Sequence, residues 1–197
     1  MSGKDVVTDD GPRWNRLYET AAAQEGHFTT AQAAAAGYSP QLLAKYLRNG
    51  RIVRVRRAVY RLVHFPPGDS DDLVVIWLWS GRVGVFSHET ALALHQLSDV
   101  LPSKVHLTVP GTWKPRRLLV PAGVVLHFSD LENGDRVWVG AVQVTSASRT
   151  IIDCAAARVP PELVRQATNE GLHRGLFTAE MVDRAVEYLR LFESGGG

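Results

Sequence analysis

Four histidines, His88, His95, His106 and His127, carry the most versatile chemistry in this 197-residue chain, because neutral imidazole is a common ligand for zinc-like metals. Their spacing argues against that use. No pair stands in an HExxH or CxxC arrangement that would set two ligands side by side, so the sequence predicts ordinary structural histidines and no metal site. Glu89 and Asp153 could serve as the carboxylate pair of a nuclease, yet the customary Asp followed by Glu-x-Lys on a strand is missing. Asp153 lies four residues after Arg149 on a predicted helix, where an intrahelical ion pair accounts for both. Ser87 and Ser148 precede helical stretches as capping residues, without the nucleophile elbow of a hydrolase. There is no phosphate-loop glycine pattern either, so the expectation is a protein without catalytic residues and without a cofactor.

Positive charge offers a second kind of chemistry, the binding of polyanions. The formal net charge is only +2, but its distribution is uneven. From Gly26 to Gly68 there is no Asp or Glu, while Lys45, Arg48, Arg51, Arg54, Arg56, Arg57 and Arg61 crowd the middle of that window. In "SPQLLAKYLRNG", Gln41, Lys45 and Arg48 recur at helical spacing on a face that carries donors only. In "RIVRVRRAVYRL", aliphatic residues alternate with arginines, whose guanidinium groups can grip phosphates bidentately or enter a narrow minor groove. The candidate DNA contacts are therefore Gln41, Lys45, Arg48, Arg51, Arg54, Arg56, Arg57 and Arg61. The plainer reading, a solvated basic hairpin, is disfavoured by the order of the elements around it.

Those elements are well punctuated. Trp14, Leu17, Tyr18, Ala21 and Ala22 mark a first amphipathic helix, with Gly26 placed to end it. Thr29 or Thr30 caps a short alanine helix that stops at Gly37. Ser39 caps a third helix with Pro40 in its first turn, a buried stripe of Leu43 and Leu47 flanked by Leu42 and Tyr46, and Asn49-Gly50 as its stop. Two antiparallel strands, "RIVRV" and "VYRL", follow. Three helices and then a basic hairpin is the order of a winged helix-turn-helix, in which the third helix enters the major groove and the wing lies along the backbone.

"FPPGDSDD" then reads as a boundary, because paired prolines break a strand and the acids open a new helix. Beyond it lie a buried helix in "SDDLVVIWLWSG", a short strand and a helix in "GVFSHETALALHQLS", strands in "KVHLTVP" and "GVVLHF", and a hairpin through Gly140. A helix from Ser146 or Ser148 and two closing helices, near 161–173 and 178–191, complete the chain. The fold class expected is α+β: tails at 1–12 and 194–197, an N-terminal winged helix-turn-helix over 13–66, and a larger mixed α+β domain over 67–193. A hydrophobic content of 45% suffices for a core, and the one cysteine, Cys154, lies in an apolar run and reads as a buried thiol of a reducing compartment. The longest apolar run, "LVVIWLW", is about a third of a membrane span, so the expectation is a cytoplasmic protein with no membrane partner.

The ordered set "TTAQAAAAGYSPQLLAKYLRNGRIVRVRRAVYRL", "FSHETALALHQL", "VHLTVP" and "VTSASRTIIDCA" resembles the AbiEi family, antitoxins and transcriptional regulators of type IV toxin-antitoxin systems of phage defence. The resemblance spans roughly residues 26–157. It implies a winged helix that binds double-stranded DNA at inverted repeats in its own promoter, a C-terminal antitoxin domain, and a cognate nucleotidyltransferase toxin of the AbiEii type, opposed functionally and not necessarily by direct contact. It implies no enzyme activity. Ala58 departs from the pattern, where the wing usually has Gly after its paired basic residues. The competing reading is a nuclease-like DNA-processing protein that uses the winged helix only for targeting.

Overall fold

The computed structural model describes residues 12–194. The tails expected at 1–12 and 194–197 fall, apart from Pro12 and Ser194, outside them. The fold is α+β, with two sheets and eight α-helices among the described residues.

The first unit, Met1–Trp79, opens with α1 (Trp14–Ala22), which buries Leu17 and Ala21. Gly26, at φ +82°, turns the chain back, its N–H donating to the Ala21 carbonyl at 2.7 Å. A short strand β1 (His27–Thr29) leads into α2 (Thr30–Ala35), whose start is fixed by a reciprocal cap. The Gln32 N–H donates to Thr29 Oγ1 at 3.2 Å, and the Thr29 N–H donates to Gln32 Oε1 at 2.8 Å. Helix α3 (Pro40–Arg48) begins where Ser39 Oγ accepts from the Leu42 N–H at 3.2 Å and ends at Asn49, with Gly50 at φ +65°. Strands β2 (Ile52–Arg56) and β3 (Val59–Leu62) form the hairpin, and the sheet order is β1-β3-β2. Strand β1 was not legible in the sequence, because three residues are too few to show an alternation. It exists through pairing with β3, where Phe28 opposes Tyr60 and the two rings stack at 5.7 Å. Leu17, Phe28, Ala33, Leu43, Ile52 and Leu62 form the core on which these elements close.

Helix α4 (Asp71–Trp79) completes this unit. The division thus falls between Trp79 and Ser80, whereas the sequence set the boundary at 66/67 and placed this helix in the second half. Charged groups tie α4 in: the Ser70 N–H donates to a Glu25 carboxylate oxygen at 3.2 Å, and Asp71 pairs with Arg61 at 3.5 Å. The helix packs on β1 and β3. "FPPGDSDD" does interrupt the chain, but an interrupted chain can still pack back on the unit it has left.

The second unit, Ser80–Gly197, is built on a mixed sheet with strand order β6-β5-β4-β8-β7. Its strands are β4 (Val85–Phe86), β5 (Val105–Val109), β6 (Val124–Phe128), β7 (Arg136–Val139) and β8 (Val142–Thr145). Strands β5 and β6 run parallel with His106 opposite Val125 and Thr108 opposite His127. Helices α5 (His88–Leu94), α6 (Ala147–Ala156), α7 (Pro161–His173) and α8 (Asp183–Ser194) enclose a core that includes Leu92, Ile151, Cys154, Val164, Phe177 and Val182. Cys154 is fully buried, and burial pushes its thiol well above the ordinary range, so it behaves as a small apolar side chain. Among the described residues no helix is long and apolar enough to cross a membrane.

Candidate nucleic-acid interface

The buried side of α3 fixes what its other side presents. Leu43 is 3% exposed, Leu42, Tyr46 and Leu47 pack against the same core, and Gln41, Lys45 and Arg48 stand out into solvent. The turn that delivers α3 is held by Tyr38, whose ring meets Tyr46 edge-on at 5.6 Å. Burial, with Tyr46 beside it, pushes the Tyr38 phenol up to about 12, so it stays protonated and uncharged.

The hairpin grows directly out of α3, the Arg51 N–H donating to the Tyr46 carbonyl at 3.0 Å. Its register shifts between Arg54 and Arg56, a bulge that precedes the turn at Arg57 and Ala58. Ala58 takes φ +60°, so the turn forms in the left-handed geometry that favours glycine, and its carbonyl accepts from the Thr30 N–H at 3.0 Å. Arg54 and Arg57 are exposed and Arg56 is half-buried, while Val53 and Val55 are also solvent-facing, so the hairpin projects past the core. Among the described residues, no carboxylate pairs with Lys45, Arg48, Arg51, Arg54, Arg56 or Arg57.

Two of the expected contacts are placed differently from the rest. Arg51 lies over the Tyr46 ring at 5.3 Å, beside a groove lined by Trp14, Tyr18, Leu62, His64 and Phe65. Arg61 turns inward: its guanidinium donates to the Phe65 carbonyl at 2.9 Å and the Pro66 carbonyl at 3.0 Å and faces Asp71. That side chain is 16% exposed and already committed, so it closes the module and does not offer itself to a phosphate.

In the second unit, Arg149 pairs with Asp153 at 2.8 Å as their spacing predicts, and it also reaches Asp135 at 2.8 Å and Ser129 at 3.2 Å. Burial raises the Asp153 carboxyl above the usual carboxylate range against the pull of Arg149. His95 is spent on the Thr145 carbonyl at 2.7 Å. His88, His106 and His127, however, come together from three elements, a convergence their separation of 18 to 39 positions does not announce.

Residues 15–63 match a family model described as transcriptional regulator, AbiEi antitoxin. No curated protein matches the chain. Among solved structures, the crystal structure of the RV2827C protein from Mycobacterium tuberculosis is similar, with a TM-score of 0.50 and 17% identity over 97% of this chain and 82% of that one. At that identity the likeness is one of fold. Residues 15–63, which hold most of the three helices and the basic hairpin, are thus similar to the AbiEi antitoxin family of transcriptional regulators.

Proposed function

We propose that this protein is an antitoxin and DNA-binding autorepressor of a type IV toxin-antitoxin pair in the cytoplasm, acting on inverted repeats in its own promoter. Its counterpart is a nucleotidyltransferase toxin of the AbiEii type encoded alongside, which it opposes in phage defence through function and not necessarily through contact. Residues 13–66 supply the DNA-binding part and the remainder supplies the antitoxin part. The observation that carries this reading is the carboxylate-free set of exposed donors on α3 and the hairpin, all inside the matched segment. Gln41, Lys45 and Arg48 face the major groove, and Arg54, Arg56 and Arg57 follow the phosphates.

Binding of the full chain to its promoter and to random duplexes, measured across salt concentrations, tests it. The Arg54→Ala/Arg57→Ala double variant is expected to weaken both duplexes alike and to flatten the log-log salt slope by roughly 1 to 2. Lys45→Ala and Gln41→Ala should each cost about 1 to 3 kcal/mol on the promoter and less on random DNA. Arg61→Ala should leave the salt slope where it is. A wild-type chain that does not distinguish its promoter from random DNA would refute the repressor assignment.

A further inference from the structure

We propose that His88, His106 and His127 form a three-histidine binding site for a divalent late transition metal of the zinc class, with a fourth position open to a cleft. The three rings each offer a nitrogen, and these nitrogens lie within 4.8 Å of one another. They arrive from different elements: His88 as the first residue of α5, and His106 from β5 and His127 from β6, neighbouring strands of one sheet. His106 Nδ1 and His127 Nε2 are 3.0 Å apart, close to the edge of about 3.4 Å that a tetrahedral ion with Zn–N bonds near 2.1 Å requires.

The surrounding groups bear on which nitrogen of His106 and His88 is free for a ligand. Glu89 Oε2 lies 3.2 Å from His106 Nε2, a neighbour that favours the proton on Nε2 and the lone pair on Nδ1. His88 Nδ1 lies 2.9 Å from Ser87 Oγ, which in turn accepts from Thr108 Oγ1 at 2.8 Å, so the Nε2 of His88 is left for a ligand. His88 is held at φ +52°, a left-handed conformation for a bulky residue of the kind that gathers at functional sites. His88 is buried and His106 and His127 are half-buried, so the three nitrogens meet in a largely enclosed place.

With the His106 proton on Nε2 beside Glu89, the proton in the 3.0 Å contact between the two rings belongs to His127 Nε2 in the metal-free arrangement. Loading the ion moves the His127 proton to Nδ1 and needs one ring to rotate, since His88 and His127 are stacked at 3.6 Å and a lone pair lies in its own ring plane. The open side is a cleft of about 390 Å³ whose walls include Lys114, Ser129, Arg149 and Asp153, which suits water or a small anion as the fourth ligand.

The test is titration of the tag-free, chelator-stripped full chain with Co(II), followed by competition with Zn(II). One equivalent of Co(II) should give the visible absorption of a four-coordinate ion and be displaced by one equivalent of Zn(II). X-ray absorption of the zinc form should show imidazole nitrogens near 2.0 Å. His106→Ala and His127→Ala should each weaken binding by more than about tenfold, and Glu89→Gln by about tenfold through loss of ring orientation. Exposed His173, changed to Ala, should have no effect. Circular dichroism identifies any variant that unfolds, and the wild-type stoichiometry and Glu89→Gln are read independently of it. Absence of saturable binding by the wild type, or undiminished affinity in folded His106→Ala or His127→Ala, overturns the proposal.

Discussion

The burial that lowers the pKa of His88 and His127 has a consequence for stability, whose sign follows from proton counting. An unfolded histidine titrates near 6.5, whereas folded His88 waits until about 3 and His127 until about 4. Between those limits the unfolded chain binds more protons, so stability is fully present above about pH 6.5 and is lost as pH falls, by up to about 1.4 kcal/mol per pH unit for each histidine. His27, His95 and His106 are shifted in the same direction. Urea unfolding of the metal-stripped chain at pH 7, 6, 5 and 4 should therefore show a steep decline, and His127→Gln should make it shallower. A pH-independent midpoint would contradict the burial of these rings. Ala58 gives a second residue-scale expectation: at φ +60°, Ala58→Gly should stabilise the protein by about 1 kcal/mol, read as a raised denaturation midpoint. The departure from the family pattern at this position changes the cost of the turn and not its shape.

Caps and periodicity are local signals, which is why the helices were the most legible elements. Ser39, Pro40 and Asn49-Gly50 bound α3 where the sequence predicts, because each acts on the backbone within a turn of its own position. Leu43 is the side chain through which α3 is fastened to the core, so Leu43→Ala should cost about 2 to 5 kcal/mol of thermal or denaturant stability and abolish DNA binding through loss of the module. Retained stability in that variant would show that α3 is held by something other than its apolar stripe. Ser87 is the instructive exception. It stands at the N-cap of α5 as expected, but makes no cap hydrogen bond, its hydroxyl being drawn to His88 and Thr108. A serine before a helix is ordinarily a cap; here a partner 21 positions away on β5 competes for it, and nothing in "FSHETAL" reveals that partner.

For the whole molecule, the placement of α4 decides where the chain can be cut. A fragment ending at residue 66 discards Ser70, Asp71 and the helix that packs on β1 and β3, whereas one ending at 79 keeps them. Residues 1–79 should consequently melt at a higher temperature than residues 1–66, which are near the lower size limit for independent folding. Residues 80–197 should fold, fail to bind the promoter and retain protection against the cognate toxin; promoter binding by that fragment would remove the DNA-binding role from the first unit. The sequence by itself determined the α+β class, the helix limits of the first module and the carboxylate-free run of basic residues, because composition, capping and periodicity act over a few neighbouring residues. Only tertiary structure decided that Arg61 faces inward to Asp71, that α4 joins the first unit, and that three histidines far apart in the chain share one site. Those outcomes depend on strand pairing and on charges meeting across long loops, where the partner is fixed by the fold and not by spacing in the chain.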